Sequence, residues 1–163
     1  MGTIVRAVLL AIAFVCAAAP AAAGSLGTPD IRSTFPCKAT EHKFGQGKGT
    51  LLLCATKKAI YQIIVSPVDL TKISEEEIAA AMIEGCKKAT GGGIRRDIKI
   101  TANGMTGRDV LIDMPGGEYD EYIVRLRLFI YKNMSVTLSY IGPAGTENRA
   151  DAARFFDSFS IKS

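Results

Sequence analysis

Between Ile94 and Tyr140, apolar and polar residues alternate almost without a break, and turn residues interrupt the pattern at intervals. A period of two is the signature of strands buried on one face. Ile94, Ile98 and Ile100 fall on one predicted face, opposite Asp97, Lys99 and Thr101. Asn103-Gly104 supplies a tight hairpin turn. Val110, Ile112 and Met114 then alternate with Asp109, Leu111 and Asp113, and Pro115-Gly116-Gly117 with Asp120 makes another reversal. Tyr122, Val124, Leu126, Leu128 and Ile130 alternate with Ile123, Arg125, Arg127, Phe129 and Tyr131. After Lys132-Asn133, Met134, Val136, Leu138 and Tyr140 alternate with Ser135, Thr137 and Ser139. Strands joined this closely must be antiparallel, because a parallel crossover needs a dozen or more residues.

The last hairpin admits two registers. A two-residue turn at Lys132-Asn133 pairs Tyr131 with Met134 and sets Leu138 beside Arg127. A turn one residue longer brings the two apolar faces together, since one step of slip exchanges the faces. In either register, Arg125 and Arg127 have Asp109 or Asp113 as cross-strand partners.

The remaining elements complete an α+β domain. Residues 50–55 and 59–66 are apolar strands, and Ile60, Tyr61, Ile63, Ile64 and Val65 suit a central strand buried on both faces. Ser74-Glu75-Glu76-Glu77 is a capping box, with a serine hydroxyl and a glutamate three residues on able to satisfy each other's backbone amides. The helix it opens runs to about Thr90 and stops at Gly91-Gly92-Gly93, with Ile78, Met82 and Cys86 as its apolar stripe. A second helix is predicted from about Glu147 to Ser158, with Ala152, Phe155, Phe156 and Phe159 as its apolar stripe. The expectation is one antiparallel sheet of about seven strands packed by two helices.

The amino terminus determines the compartment. Arg6 precedes an uncharged stretch from Ala7 to Gly24, half of it alanine, and Pro20-Ala21-Ala22-Ala23 offers small residues to a peptidase. This is the order of a secretory signal, with cleavage predicted after Ala23. The alternative is an uncleaved anchor, as the stretch is near the lower limit for a span. Residues 1–23 are therefore read as a signal, 24–30 as a leader and 31–163 as one domain, placed in the periplasm or outside the cell. Removing Arg6 lowers the formal charge from +4 to +3. That imbalance gives no concentrated stripe for nucleic acid. Lys87, Lys88, Arg95, Arg96 and Lys99 read as a helix end and a solvated strand.

Three cysteines remain after cleavage, enough for one bridge and one thiol. Cys37 and Cys54 lie equally far from the Gly45–Gln46 bond, inside a glycine-rich reversal, so a hairpin folded there would set them opposite each other. Cys86 reads as a small buried apolar residue, with a bridge to one of the others as the alternative.

Gly107-Arg108-Asp109, the strand Tyr122-Ile123-Val124-Arg125-Leu126-Arg127-Leu128-Phe129-Ile130-Tyr131, Asn133, and Ala153-Arg154-Phe155-Phe156-Asp157-Ser158-Phe159 together resemble the PsbP-like family. Phe35-Pro36 followed by a strand, a hairpin and Tyr61 extends the resemblance forward. It implies an antiparallel sheet with helices on its faces, and an accessory or assembly role in place of catalysis.

Motif tests point the same way. Gly45-Gln46-Gly47-Lys48-Gly49-Thr50 has His42 and Gly49 where a phosphate loop needs glycine and a hydroxyl residue, and no helix follows. His42 is the only histidine and reads as an exposed hairpin residue. Glu118, Asp120 and Glu121 sit in a polar turn, without the apolar pocket a paired-carboxylate hydrolase needs. No catalytic residue, cofactor or metal ligand is assigned. The expected role is binding an unidentified protein partner through a sheet edge or a surface around Tyr119, Tyr122, Arg125, Arg127 and Tyr131. A small-molecule carrier with a sheet–helix pocket near Met82, Met114, Phe155 or Phe156 is the second reading, and a hydrolase the third.

Overall fold

The computed structural model describes residues 30–115 and 121–162. In chain order the elements are β1 (Asp30–Arg32), β2 (Thr40–Phe44), β3 (Gly49–Ala55), β4 (Ile60–Pro67), α1 (Glu75–Thr90), β5 (Ile94–Ala102), β6 (Met105–Met114), β7 (Tyr122–Tyr131), β8 (Met134–Pro143), α2 (Ala150–Asp157) and β9 (Ser160–Lys162). Seven strands form one sheet in the order β2-β3-β4-β8-β7-β6-β5, each pairing antiparallel. β1 and β9 pair separately. The α+β class and the seven-stranded sheet match the expectation. The signal and the leader lie outside the described residues, save Asp30, which opens β1.

The sheet is packed on both faces. Ile78, Met82, Ile83 and Cys86 of α1 cover one face, against Val110, Ile112, Val124, Leu126 and Leu128. Ala152, Phe155 and Phe156 of α2 cover the other, against Tyr61, Ile63, Leu111, Ile123, Leu138 and Tyr140. The α1 start is as the capping box predicts: Ser74 Oγ accepts the Glu77 amide, and Glu77 returns to the Ser74 amide at 3.0 Å. Its end is a left-handed Gly91 (φ 67°). α2 begins at Ala150, later than the sequence indicates, because Thr146–Arg149 forms a turn closed by the Arg149 amide on the Thr146 carbonyl.

Three local features differ from, or resolve, the sequence reading. The β7–β8 turn has two residues, with Lys132 at φ 52°, so Tyr131 pairs with Met134 and Arg127 with Leu138. The β2–β3 ladder pairs Phe44 with Gly49, making Gly45–Lys48 the loop, centred one residue beyond Gly45–Gln46, so that Cys54 falls level with Ala39 and not Cys37. Cys37 nevertheless reaches Cys54 from ahead of β2, with Cα atoms 5.8 Å apart, and the disulfide forms. Finally, an irregularity between Ile94 and Arg96 breaks the predicted common face of β5. Ile94 pairs with Ile112 on the α1 side, and Ile98 pairs with Asp109 on the α2 side.

Cys86 lies in the α1 core at 1% exposure, as its stripe position predicts. The odd thiol count does not yield a free thiol, for none of the described cysteines is one.

Candidate functional site

The polar residues that the sequence marks on β6 and β7 converge on one carboxylate. Asp109 and Arg127 are direct partners across β6 and β7, and Arg125 lies two positions along the same face. Strand alternation therefore drives both guanidinium groups beneath α2. Asp109 is 3% exposed. Arg125 reaches it through NH2 at 2.8 Å and Arg127 through Nε at 3.0 Å. Arg96, arriving from β5, adds a third contact at 2.6 Å.

The same two arginines hold the helix. Arg125 NH1 donates to the Glu147 carbonyl and to Asn148 Oδ1, both at 3.2 Å. Arg127 NH1 donates to the Phe156 carbonyl at 3.2 Å and to Asp157 at 3.1 Å. Both guanidinium groups lie over the Phe156 ring, at 4.6 and 5.2 Å from its centroid. Cations on an aromatic face gain from the ring quadrupole. Burial alone would raise the Asp109 pKa, but hydrogen bonds from Arg125, Arg127 and Arg96 and the charge of Arg125 outweigh it. The carboxyl is held below its ordinary range and stays charged.

A second polar contact fixes the helix start. Tyr61 on β4 donates to Asp151 Oδ2 at 2.8 Å, and Asp151 Oδ1 accepts the Ala152 amide. Burial, reinforced by the Asp151 carboxylate, pushes the Tyr61 hydroxyl far above its usual range. Tyr61 is fully buried, so this is an anchored phenol.

The residues expected to form one partner surface are thus divided. Arg125 is buried and most of Arg127 is covered. Tyr131 shares their face of the sheet, at the far end of β7. Tyr122 lies on the opposite face, because Tyr122 and Tyr131 are the two ends of a ten-residue strand and so differ by an odd number of positions. It lines an open cleft of about 400 Å³ with Gly91, Gly92, Arg95 and Asp113. Tyr119, with Glu118 and Asp120, falls outside the described residues. The carrier pocket is likewise divided: Met82 and Met114 pack on the α1 face, and Phe155 and Phe156 on the α2 face. His42 is exposed on β2, with Nε2 3.1 Å from Thr40 Oγ1.

The sequence reading overlooked the exposed side of β5. It is the last strand of the sheet, nine residues long, and among the described residues no other strand meets its outer edge. Ile98 is 48% exposed and Ile94 41%. They are the large apolar residues left exposed among the described ones. The other edge, β2, presents Thr40, Glu41, His42 and Lys43, polar residues that discourage pairing. The signal was present in the sequence as an isoleucine repeat flanked by charges, but without the strand order it reads like any half-buried strand.

No protein-family model matches the chain, and no curated protein is significantly similar to it in sequence. Solved structures are similar in fold. Protein PA94 of unknown function from Pseudomonas aeruginosa aligns over 77% of this chain and 98% of its own, at 8% identity and a TM-score of 0.51. Cyanobacterial PsbP from Synechocystis aligns over 86% and 98%, at 7% identity and a TM-score of 0.49. A Bacteroides thetaiotaomicron protein aligns over 82% of this chain at 10% identity and a TM-score of 0.47, and the match covers 45% of that longer protein. At such identities a likeness concerns fold alone.

Proposed function

We propose that this chain is an exported, non-enzymatic accessory protein that works by protein–protein contact, with the outer edge of β5 as its contact surface. The observation that carries the reading is the exposure of Ile98, at 48%, on an unpaired strand edge. An edge offers a row of backbone donors and acceptors, and an added strand satisfies them while its side chains cover the apolar residues. Tyr131 and the accessible part of Arg127 lie on the sheet face of Ile98, on a strand two places in from the edge. The Arg125–Asp109–Arg127 group supports the reading in another way. Its charged groups are engaged in holding α2, so they serve the scaffold that presents the edge.

Export is supported by the Cys37–Cys54 disulfide, a bond that persists in oxidising compartments, and by the signal-like residues 1–23. Affinity purification from the source cell tests the function, with the wild type compared with Ile98→Asp and an untagged copy of the chain also followed. A reproducible partner should be retained by the wild type and lost by the variant. Equal recovery by both, or no reproducible partner at all, contradicts the proposal.

A further inference from the structure

The regular part of β5 is complementary to itself. We infer that the strand received by the β5 edge is β5 of a second copy, paired antiparallel about a two-fold axis at Ile98. This rests on the reading of β5 as the contact surface and names its occupant.

Register selects this pairing. In an antiparallel pair centred on Ile98, each residue lies opposite the one whose number completes the same sum, so Ile98 meets its own copy. Asp97 then faces Lys99 of the second copy, and Lys99 faces its Asp97, giving two opposite-charge pairs. Both residues lie on the α1 side, since Asp97 pairs with Val110 and Lys99 with Arg108. Lys99 is 67% exposed and can reach across. Ile98, on the other face, covers its counterpart. Neighbouring two-fold centres fail: one on Asp97 sets that carboxylate against itself and Arg95 against Lys99, and one on Lys99 sets two ammonium groups together.

The irregularity at Arg95 bounds the contact. Regular pairing with β6 begins at Arg96, so the clean self-paired stretch is Arg96–Ile100. A five-residue strand pair buries little surface, which makes this a weak, reversible dimer. Its symmetry is the commonest one, and it leaves neither copy with an open β5 edge. The outer edges of the joined sheet are then the two polar β2 strands.

Sedimentation of the purified protein from micromolar to millimolar concentration tests the inference. The wild-type mass should rise toward twice the monomer. Lys99→Glu alone and Asp97→Lys alone should each remain monomeric, because each sets like charges opposite. Their equimolar mixture should recover the dimer, since both cross-strand pairs become complementary. Asp97 also binds Arg108, so a second variant leaves all ion pairs intact: Ile98→Cys should cross-link to itself on oxidation, and Thr101→Cys should not. A wild type that stays monomeric throughout, a mixture of folded variants that recovers nothing, or an Ile98→Cys protein that fails to cross-link each overturns self-pairing. If the wild type is monomeric but another protein still depends on Ile98 for capture, self-pairing falls and the β5 contact stands. Capture that ignores Ile98 removes the contact reading itself.

Discussion

At the scale of single residues, Asp109 makes the most ion pairs among the described residues. Three arginines from two strands share its two oxygens, and two of them extend to the backbone of α2 or of the turn before it. Removing one partner of a buried ionic group leaves the others uncompensated, at a cost of about 3–5 kcal/mol. Asp109→Asn should therefore lower unfolding free energy by about that amount in urea titration. The acid dependence has a definite sign. The folded pKa lies below the unfolded one, so the contribution is complete above the ordinary carboxylate pKa of about 3.9 and is lost as pH falls through the folded value. Stability curves should show the wild type losing more than Asp109→Asn across that acidic window, and parallel curves would contradict this. The sequence named these residues as cross-strand partners but could not supply their convergence. Arg96 arrives from β5, on the face it shares with Ile98 and Ile100, and the carbonyls come from more than twenty residues downstream.

At the scale of elements, alternation in β6, β7 and β8 grouped the residues that share a face, because a period of two survives any crossing angle or twist, but left open which face Arg125 and Arg127 occupy. The capping box of α1 was equally legible, being a local exchange between Ser74 and Glu77. Register was not. The β7–β8 turn depended on Lys132 accepting a left-handed conformation, and the irregularity at Arg95 moved Ile94 across the sheet. β9 escaped notice since three residues carry no periodicity; they are held through Phe159, which stacks on Phe129 at 5.2 Å and accepts from Asn103. Gly107 shows why a glycine stands in the middle of β6: a Cβ there would strike the Leu128 carbonyl and the Phe129 ring. Gly107→Ala should destabilise by about 1–3 kcal/mol through overpacking, read as a lower denaturant midpoint with an unchanged m-value. A neutral substitution would mean that β6 and β7 are less closely apposed.

At the scale of the whole molecule, a sheet covered by α1 on one face and α2 on the other leaves its two edges as the places where backbone can pair. The disulfide secures the β2 side, closing a loop across a separation of 17 residues, worth about 3 kcal/mol in the chain-entropy model. A Cys37→Ser/Cys54→Ser double variant should lower the melting temperature, and reduction should lower it at least as far, since Cys86 is not a free thiol either. Strand β5 itself carries no cysteine and holds the exposed isoleucines. Periodicity and cysteine spacing told of a small α+β domain with a bridge-forming cysteine pair, but which strand ends the sheet is a property of topology, invisible until the order of strands is known. Amide hydrogen exchange at low and high protein concentration tests this division of the surface most directly. Amides within Arg96–Ile100 should become protected as concentration rises while those of β2 stay unchanged; protection confined to β2 or to the outer surface of α2, with β5 exchanging freely throughout, would contradict it.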